Sequence, residues 1–366
     1  MSNNKSCSSK ITSTDVAREA GVSQTTVSLI LSNSGRSTFS QETRDRVLQA
    51  AEKLHYRIPE RRKKAPAVNN RTLLVLIPTV MNEYYATLIS ILEEYAQSLN
   101  YHIFVCNCFR KPELEKFYLD TFAGTAACGI IYTFLPGFPE LVEEINKTIP
   151  TVIIGEKHPD MSICSVELNN ITAGSMLADY LLKAGHRKLV FISTPLNRLS
   201  LSRSQRLEGI QKRLESEHVT DGLTILSADS LSENDKLEDG MPYEYSIGRM
   251  LTAQLIREGT DATALIGVND MTAIGIMNML AELGVKVPKD FSVCGFDNIF
   301  SSNITTPGLT TVDHHLRLRC ESAVDMVVSM LEPDGSGHPF LRKIEYAPQL
   351  IIRGSTGPVN SHRVRK

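Results

Sequence analysis

The sequence predicts an α/β protein in which a three-helix N-terminal head precedes a body of two doubly wound, parallel-sheet lobes. Three observations lead there. The first 58 residues carry helical patterning and no strand signal, the stretch after them is cationic and poor in large apolar residues, and from Thr72 onward apolar runs alternate with helical patterns. Such alternation implies parallel strands covered by helices on both faces.

In the head, Thr12 to Ala20, Ser23 to Ser32 and Ser40 to Leu54 read as helices, each opening on a hydroxyl residue suited to an N-cap. Thr12 and Asp15 have the spacing of a capping box. Gly21 stands in the very short connection between the first two helices, where freedom at positive φ suits a tight turn. In the second helix Val27, Ile30 and Leu31 form an apolar face, leaving Gln24, Thr25, Ser28, Leu29 and Ser32 on another. From Arg57 to Arg71 the composition shifts to Pro, Asn and four consecutive cations, Arg61, Arg62, Lys63 and Lys64. The expected division is therefore a head over 1–58, a basic linker over 59–71, a body over 72–356 and a basic tail over 357–366.

Eight apolar runs in the body read as strands: Thr72 to Ile77, His102 to Cys106, Gly129 to Phe134, Thr151 to Ile154, Lys188 to Ile192, Leu223 to Leu226, Ala264 to Val268 and Ser292 to Phe296. That is many for one sheet, so two lobes with a cleft between them are expected. The chain should cross between lobes near Met161 to Ser165 and near Phe300 to Val312, where Pro and polar residues interrupt the periodicity. Ligands of such sheets bind beyond the carboxyl ends of the strands, and a cleft lets both lobes supply contacts.

Charge separates the same two regions. The 366-residue chain is 42% hydrophobic with a net charge of −2, yet residues 1–71 carry +7 and the remainder −9. The basic end is a polyanion-binding piece by that measure. No run approaches the roughly 20 apolar residues of a membrane helix, and the N-terminus is polar without a hydrophobic signal core. A cytoplasmic protein without membrane association is expected. The seven cysteines show no paired metal-type spacing, and Cys106 and Cys108 share one face of a strand, where buried thiols are expected. Phosphate-loop, zinc-protease and nucleophile-elbow motifs are absent, so no catalytic residue, cofactor or metal is assigned. His314 and His315 are adjacent and point apart on an extended segment, which reads as a surface or interface pair.

Specific wording adds to this. The segment Thr14-Asp15-Val16-Ala17-Arg18-Glu19-Ala20-Gly21-Val22-Ser23-Gln24-Thr25-Thr26-Val27-Ser28 resembles the helix-turn-helix of the LacI/GalR family of bacterial repressors. Further matches follow in order: Glu42-Thr43-Arg44 with Ala50-Ala51, Gly185-His186-Arg187, Arg206 to Gly209, Asn269-Asp270, Gly295-Phe296-Asp297-Asn298, Pro307 to Val312, and Leu350 to Ser355. The resemblance covers nearly the whole chain and implies a periplasmic-binding-protein-like body. Three departures stand out. Leu29 replaces the Arg usual in the recognition helix, the linker runs into Ala65-Pro66 instead of hinge-helix wording, and Asn169 and Cys128 stand where Asp is common.

The resemblance implies double-stranded operator DNA as partner, a homodimer, and a small carbohydrate-like effector. For DNA it selects Thr12, Ser13, Ser23, Gln24, Thr25, Thr26, Ser28, Leu29 and Ser32, together with Arg61, Arg62, Lys63 and Lys64. Helix-start residues such as Gln24 and Thr25 reach base edges, short hydroxyls hold phosphates, and linker cations track the backbone. For the effector it selects Tyr84, Tyr85, Asn169, Ser202, Arg206, Tyr243, Asn269 and Asp297. Carboxylate and guanidinium groups suit hydroxyls, and an aromatic face suits the apolar side of a sugar ring. Control by a protein corepressor instead of a small ligand is the alternative. A sugar-transport protein and an enzyme with a DNA-binding head are the rivals from other classes.

Overall fold

The computed structural model describes residues 12–31, 39–54, 56, 71–122, 127–196, 201–230, 240–331 and 341–360. The chain divides into two compact units, 1–67 and 68–366.

The first unit contains α1 (Ser13–Ala20), α2 (Gln24–Leu31) and α3 (Gln41–Lys53). At the start of α1 the Thr12 amide donates to Asp15 Oδ2 at 2.9 Å and the Thr12 hydroxyl donates to the same oxygen at 2.7 Å. Gly21 ends the helix at φ 65°, the left-handed conformation that a side chain would disfavour. Ser23 and Ser40 cap α2 and α3 by accepting from the amides of Thr26 and Thr43. Val16, Ala17, Ala20, Val27, Ile30, Val47, Ala50 and Ala51 form the core. A core this small favours residues that let helices approach closely, and Lys53 reaches Glu19 at 2.6 Å across its edge.

The second unit opens with β1 (Thr72–Ile77), α4 (Glu83–Ser98), β2 (His102–Asn107), α5 (Pro112–Phe122), β3 (Gly129–Tyr132), α6 (Pro139–Asn146), β4 (Thr151–Ile154) and β5 (Cys164–Leu168). It continues through α7 (Asn170–Lys183), β6 (Leu189–Ser193), α8 (Leu201–Ser216), β7 (Leu223–Ser227), α9 (Tyr243–Glu258), β8 (Ala264–Gly267), α10 (Asp270–Glu282), β9 (Ser292–Phe296), α11 (Phe300–Ile304) and β10 (Thr310–Asp313). Last come α12 (Leu316–Leu331), β11 (Lys343–Tyr346) and β12 (Gln349–Ile351).

Two six-stranded sheets result, ordered β11-β5-β4-β3-β1-β2 and β12-β10-β9-β8-β6-β7. All pairings are parallel except β10 with β12. Parallel strands bury both faces, which is why the central strands read as continuous apolar runs. In β1 the alternation still shows: Leu73, Val75 and Ile77 pack with α4 and α12, while Leu74 and Leu76 pack with Cys106, Tyr132 and Val142 on the other face. Cys106 and Cys108 are buried as expected, and burial pushes both thiols up to about 12.

The crossings differ from those expected. β5 belongs wholly to the first sheet, so the chain leaves that lobe at Asn169, not near Met161 to Ser165. β10 belongs to the second sheet, so the return follows Asp313 instead of lying within Phe300 to Val312. A third crossing, between β11 and β12, was not anticipated. Four strands escaped the apolar pattern because they are short and polar. In β10 the buried Thr310 and Thr311 replace apolar packing with hydroxyl hydrogen bonds, Thr311 Oγ1 donating to Asp270 Oδ1 at 2.6 Å. Residues 357–360, assigned to a tail, dock on the second lobe through Gly357 to Ser292 and Val359 to Ala184.

Candidate functional site

Both sheets have the order 2-1-3-4-5 in their own strands, with the order reversing between β1 and β3 and between β6 and β8. Loops diverge at such switch points and leave a crevice beyond the carboxyl ends. A cavity of about 130 Å³ lies there, walled by residues that follow β1, β2, β3, β4, β5, β6, β7, β8, β9 and β10 and by the first turn of α12.

The first lobe contributes an aromatic corner. Asn82 caps α4 by accepting from the Tyr84 amide at 3.0 Å, which brings Tyr84 and Tyr85 to the wall. Their rings meet edge to face at 5.2 Å. After β4, Glu156 accepts from Asn170 Nδ2. Burial raises its carboxyl to about 7 against the opposing pull of Arg206, so it is divided between charged and neutral forms at neutral pH. After β2, Arg110 crosses to the second lobe and pairs with Glu244 at 2.8 Å.

The second lobe contributes a network centred on Arg206, which is 8% exposed. Its Nε donates to Asn170 Oδ1 at 3.0 Å, Nη1 to the Val268 carbonyl at 2.6 Å and Nη2 to Asp297 Oδ1 at 3.2 Å, while the guanidinium lies 4.8 Å over the Phe296 ring. Gly174 fixes this position. A Cβ there would stand 2.0 Å from the Arg206 carbonyl, so only glycine lets α7 lie against α8 at that turn. Asp297 and Asn298 have φ of 117° and 50°, a costly conformation for residues with side chains, of about 1–3 kcal/mol each. The surroundings hold it: the Asp297 amide donates to the Val312 carbonyl, and Arg353 Nη2 donates to Asn298 Oδ1 at 2.7 Å. Asn269 caps α10 by accepting from the Thr272 amide at 2.9 Å.

His314 corrects the sequence reading. It is 1% exposed, lines the cavity and sits 3.1 Å from Asp297 Oδ1 through Nε2, whereas its neighbour His315 is only half-buried. Burial is the largest cause that takes its imidazole down to about 4, with Arg206 and Arg319 adding to it. The two side chains do diverge, but the segment is a strand end facing the cleft and not a surface loop.

Of the residues selected for the effector, Tyr84, Tyr85, Ser202, Arg206, Asn269 and Asp297 share the wall. Asn169 and Tyr243 do not. Asn169 is occupied as the cap of α7, accepting from the Thr172 amide and donating to Glu345, and Tyr243 begins α9 with 37% of its surface exposed. Arg110, Glu156, Arg203, Glu244 and Arg319 line the cavity and were not selected. Glu156 follows an assigned strand directly and was within reach of the strand-end rule. Arg319 lies inside a helical pattern and gives no sequence signal.

In the head, Thr12, Ser23 and Gln24 are exposed, and Gln24 Nε2 donates to Ser13 Oγ at 3.1 Å. Ser23 and Thr26 are joined through their hydroxyls at 2.9 Å. The side chains of Thr25, Ser28 and Leu29, and Ser32 and Arg61 to Lys64 entirely, lie outside the described residues. Among the described residues no helix is long and apolar enough to cross a membrane.

Residues 12–58 match the family model for bacterial regulatory proteins of the lacI family, and residues 178–356 match that of the periplasmic binding protein-like domain. The chain is 28% identical over 344 residues to the transcriptional repressor PurR of Haemophilus influenzae strain PittEE, covering 93% of this chain and 97% of that protein. It is 27% identical over 357 residues to the transcriptional regulator DegA of Bacillus subtilis strain 168, covering 96% and 100%. A LacI-family regulator from Enterococcus faecium with bound ribose superposes with a TM-score of 0.67 at 22% identity, covering 79% of this chain and all of that one. With the head, the two-lobed body and the order of motifs in agreement, the chain belongs to the LacI/GalR family of DNA-binding transcriptional regulators.

Proposed function

We propose that this protein is a repressor that binds a roughly two-fold symmetric operator as a homodimer, and that a small hydroxyl-rich molecule in the cleft, a sugar or sugar derivative, sets its operator affinity. The observation that carries the reading is the convergence of Tyr84, Tyr85, Ser202, Arg206, Asn269 and Asp297 on one cavity of about 130 Å³. One water needs about 10–15 Å³ on this scale, so the space suits on the order of ten non-hydrogen atoms, the size of a monosaccharide. Polar strand ends supply acceptors and donors for hydroxyls, and the tyrosines supply an apolar face. The ribose carried by the Enterococcus faecium relative is in keeping with this.

Ligand controls DNA if it binds one arrangement of the lobes better than another, since only differential affinity shifts the population. In the head, Gln24 and Thr25 would read base edges while Thr12, Ser13, Ser23, Thr26, Ser28 and Ser32 take phosphates, Leu29 meets an apolar base edge, and Arg61 to Lys64 follow the backbone.

A thermal-shift screen of the full chain over monosaccharides and their derivatives, followed by operator gel shifts with each hit, tests the proposal. A hit that raises the melting temperature and changes operator affinity is expected. A saturating cleft ligand that leaves operator affinity unchanged would sink it.

A further inference from the structure

Among the described residues, the cleft holds more cation than its carboxylates neutralise. Arg206 is matched by Asp297, and Arg110 by Glu244. Arg203 and Arg319 also line the cavity, and among the described residues neither has a carboxylate within ion-pair distance. Glu156, the remaining acid on the wall, is held partly neutral by burial.

Arg319 is the sharper case. It is 3% exposed in the first turn of α12, where Nη1 donates to the Tyr84 hydroxyl at 3.1 Å. Its Nε is buried and makes no hydrogen bond to any described residue. Its Nη2 stands about 4.0 Å from where a Cβ on Gly155 would be, and Gly155 has φ 113°, a backbone that glycine permits. A buried guanidinium with open donors is costly unless something meets them. Arg203 repeats the pattern more weakly: Nη1 donates to the Pro195 carbonyl, and burial with the neighbouring Arg110 charge lowers its affinity for a proton. The α4, α8, α10 and α12 N-termini carry wall residues too, and such ends favour negative charge.

We propose that the effector is anionic, a monosaccharide-sized polyol bearing a carboxylate or phosphate, and that Arg319 is the residue that selects the charged group. The inference rests on the cleft reading above and narrows its ligand class. A planar guanidinium takes either group in two parallel hydrogen bonds, so sugar acids and sugar phosphates share the chemistry.

The test is calorimetric titration and thermal shift of the full chain with matched sets: neutral aldoses, the corresponding aldonic and uronic acids, and the corresponding phosphate esters, with acetate and inorganic phosphate as bare probes. The expected result is that an acid or ester binds at least tenfold more tightly than its neutral parent, the winning arm telling carboxylate from phosphate. Arg319→Gln should then lose roughly 10- to 100-fold for the anionic ligand and far less for the neutral parent, with partial recovery in Arg319→Lys. A merely structural arginine would lower both equally. Neutral sugars binding as well as their anionic partners would overturn the inference and leave the sugar reading intact. Absence of a shift with every sugar, acid, ester and bare anion would overturn both. Circular dichroism of the variants guards against misfolding, and the wild-type comparison decides without them.

Discussion

In the head, the side chains that fill the core and those proposed to meet DNA are different residues, although Thr12 and Ser23 also cap α1 and α2. Val16, Val27 and Val47 are fully buried in its core, whereas Thr12, Ser23 and Gln24 are exposed. In the cleft they are the same residues. Arg206 ties Asn170, the Val268 carbonyl and Asp297 together, and Asp297 sits in a strained conformation that its neighbours enforce. A surface reader that caps no helix, such as Gln24, can be altered at little cost to folding, while a cleft side chain serves both stability and recognition, so its loss should register in both.

Removing residues 1–58 should produce the largest effect and test whether the division is real. Specific operator binding should vanish while the remaining chain stays folded and binds its ligand unchanged, because the head has its own core. Gel shifts with sedimentation and ligand titration of the truncated chain check this. Specific DNA binding that survives would place the reading surface elsewhere.

Next is Arg206→Ala. It takes the guanidinium from Asn170 Oδ1, the Val268 carbonyl and Asp297, leaving the Asp297 carboxylate, among the described residues, only the nearby His314, and breaking a buried charge network of this kind costs about 3–5 kcal/mol. Urea unfolding should show that loss together with weakened ligand binding. A variant of unchanged stability would mean the network is not part of the fold.

The same contrast explains what the sequence makes legible. Helices α1 to α3 lie within a residue of the ranges expected, because caps such as Ser40 and turns such as Gly21 act locally. Buried strands built of continuous apolar runs are equally plain, since parallel strands require apolar residues on both faces, whereas the buried β5 and β10 escape because Ser165, Glu167, Thr310 and Thr311 interrupt the run. The cleft is only partly legible. Its residues come from loops after ten strands, and what decides their role is the partner each finds across the fold. Arg319 reads as an ordinary helical cation until its burial and its lack of a carboxylate partner among the described residues are known, and His314 reads as a surface residue until β10 is placed in the second sheet. Asn169 shows the opposite error, for its amide serves a cap and an edge strand 176 residues away.

Gln24→Ala sharpens the comparison from the head's side. The side chain is exposed and among the described residues bonds only to Ser13, so the melting temperature should stay within what about 0.5 kcal/mol would produce. Operator affinity should fall by about 1–3 kcal/mol, the discrimination typical of one base-edge contact. Differential scanning calorimetry and gel shifts at one fixed salt concentration measure the two. Equal losses in stability and binding would erase the distinction between builders and readers.

The smallest effect belongs to Glu156 and concerns pH. Its carboxyl is raised from the ordinary value of 4.5 to about 7, chiefly by burial, with Glu167 adding to the rise and Arg206, Ser202 and Asn170 opposing it. Between those two values the unfolded chain has lost the proton and the folded chain keeps it, so unfolding releases a proton and stability falls as pH rises through that window. Above about 7 both states are ionised and the contribution levels off. Glu156→Gln removes the ionisation but keeps an oxygen for Asn170 Nδ2. Stability of the wild type should therefore decline relative to Glu156→Gln by about 1 kcal/mol between pH 5 and 7.5, after allowance for partial solvent screening. Urea midpoints of the two proteins across that range give the difference directly. Parallel curves would show that Glu156 ionises freely, and the cleft would then carry one more negative charge at neutral pH, leaving Arg203 and Arg319 less need of an anionic ligand.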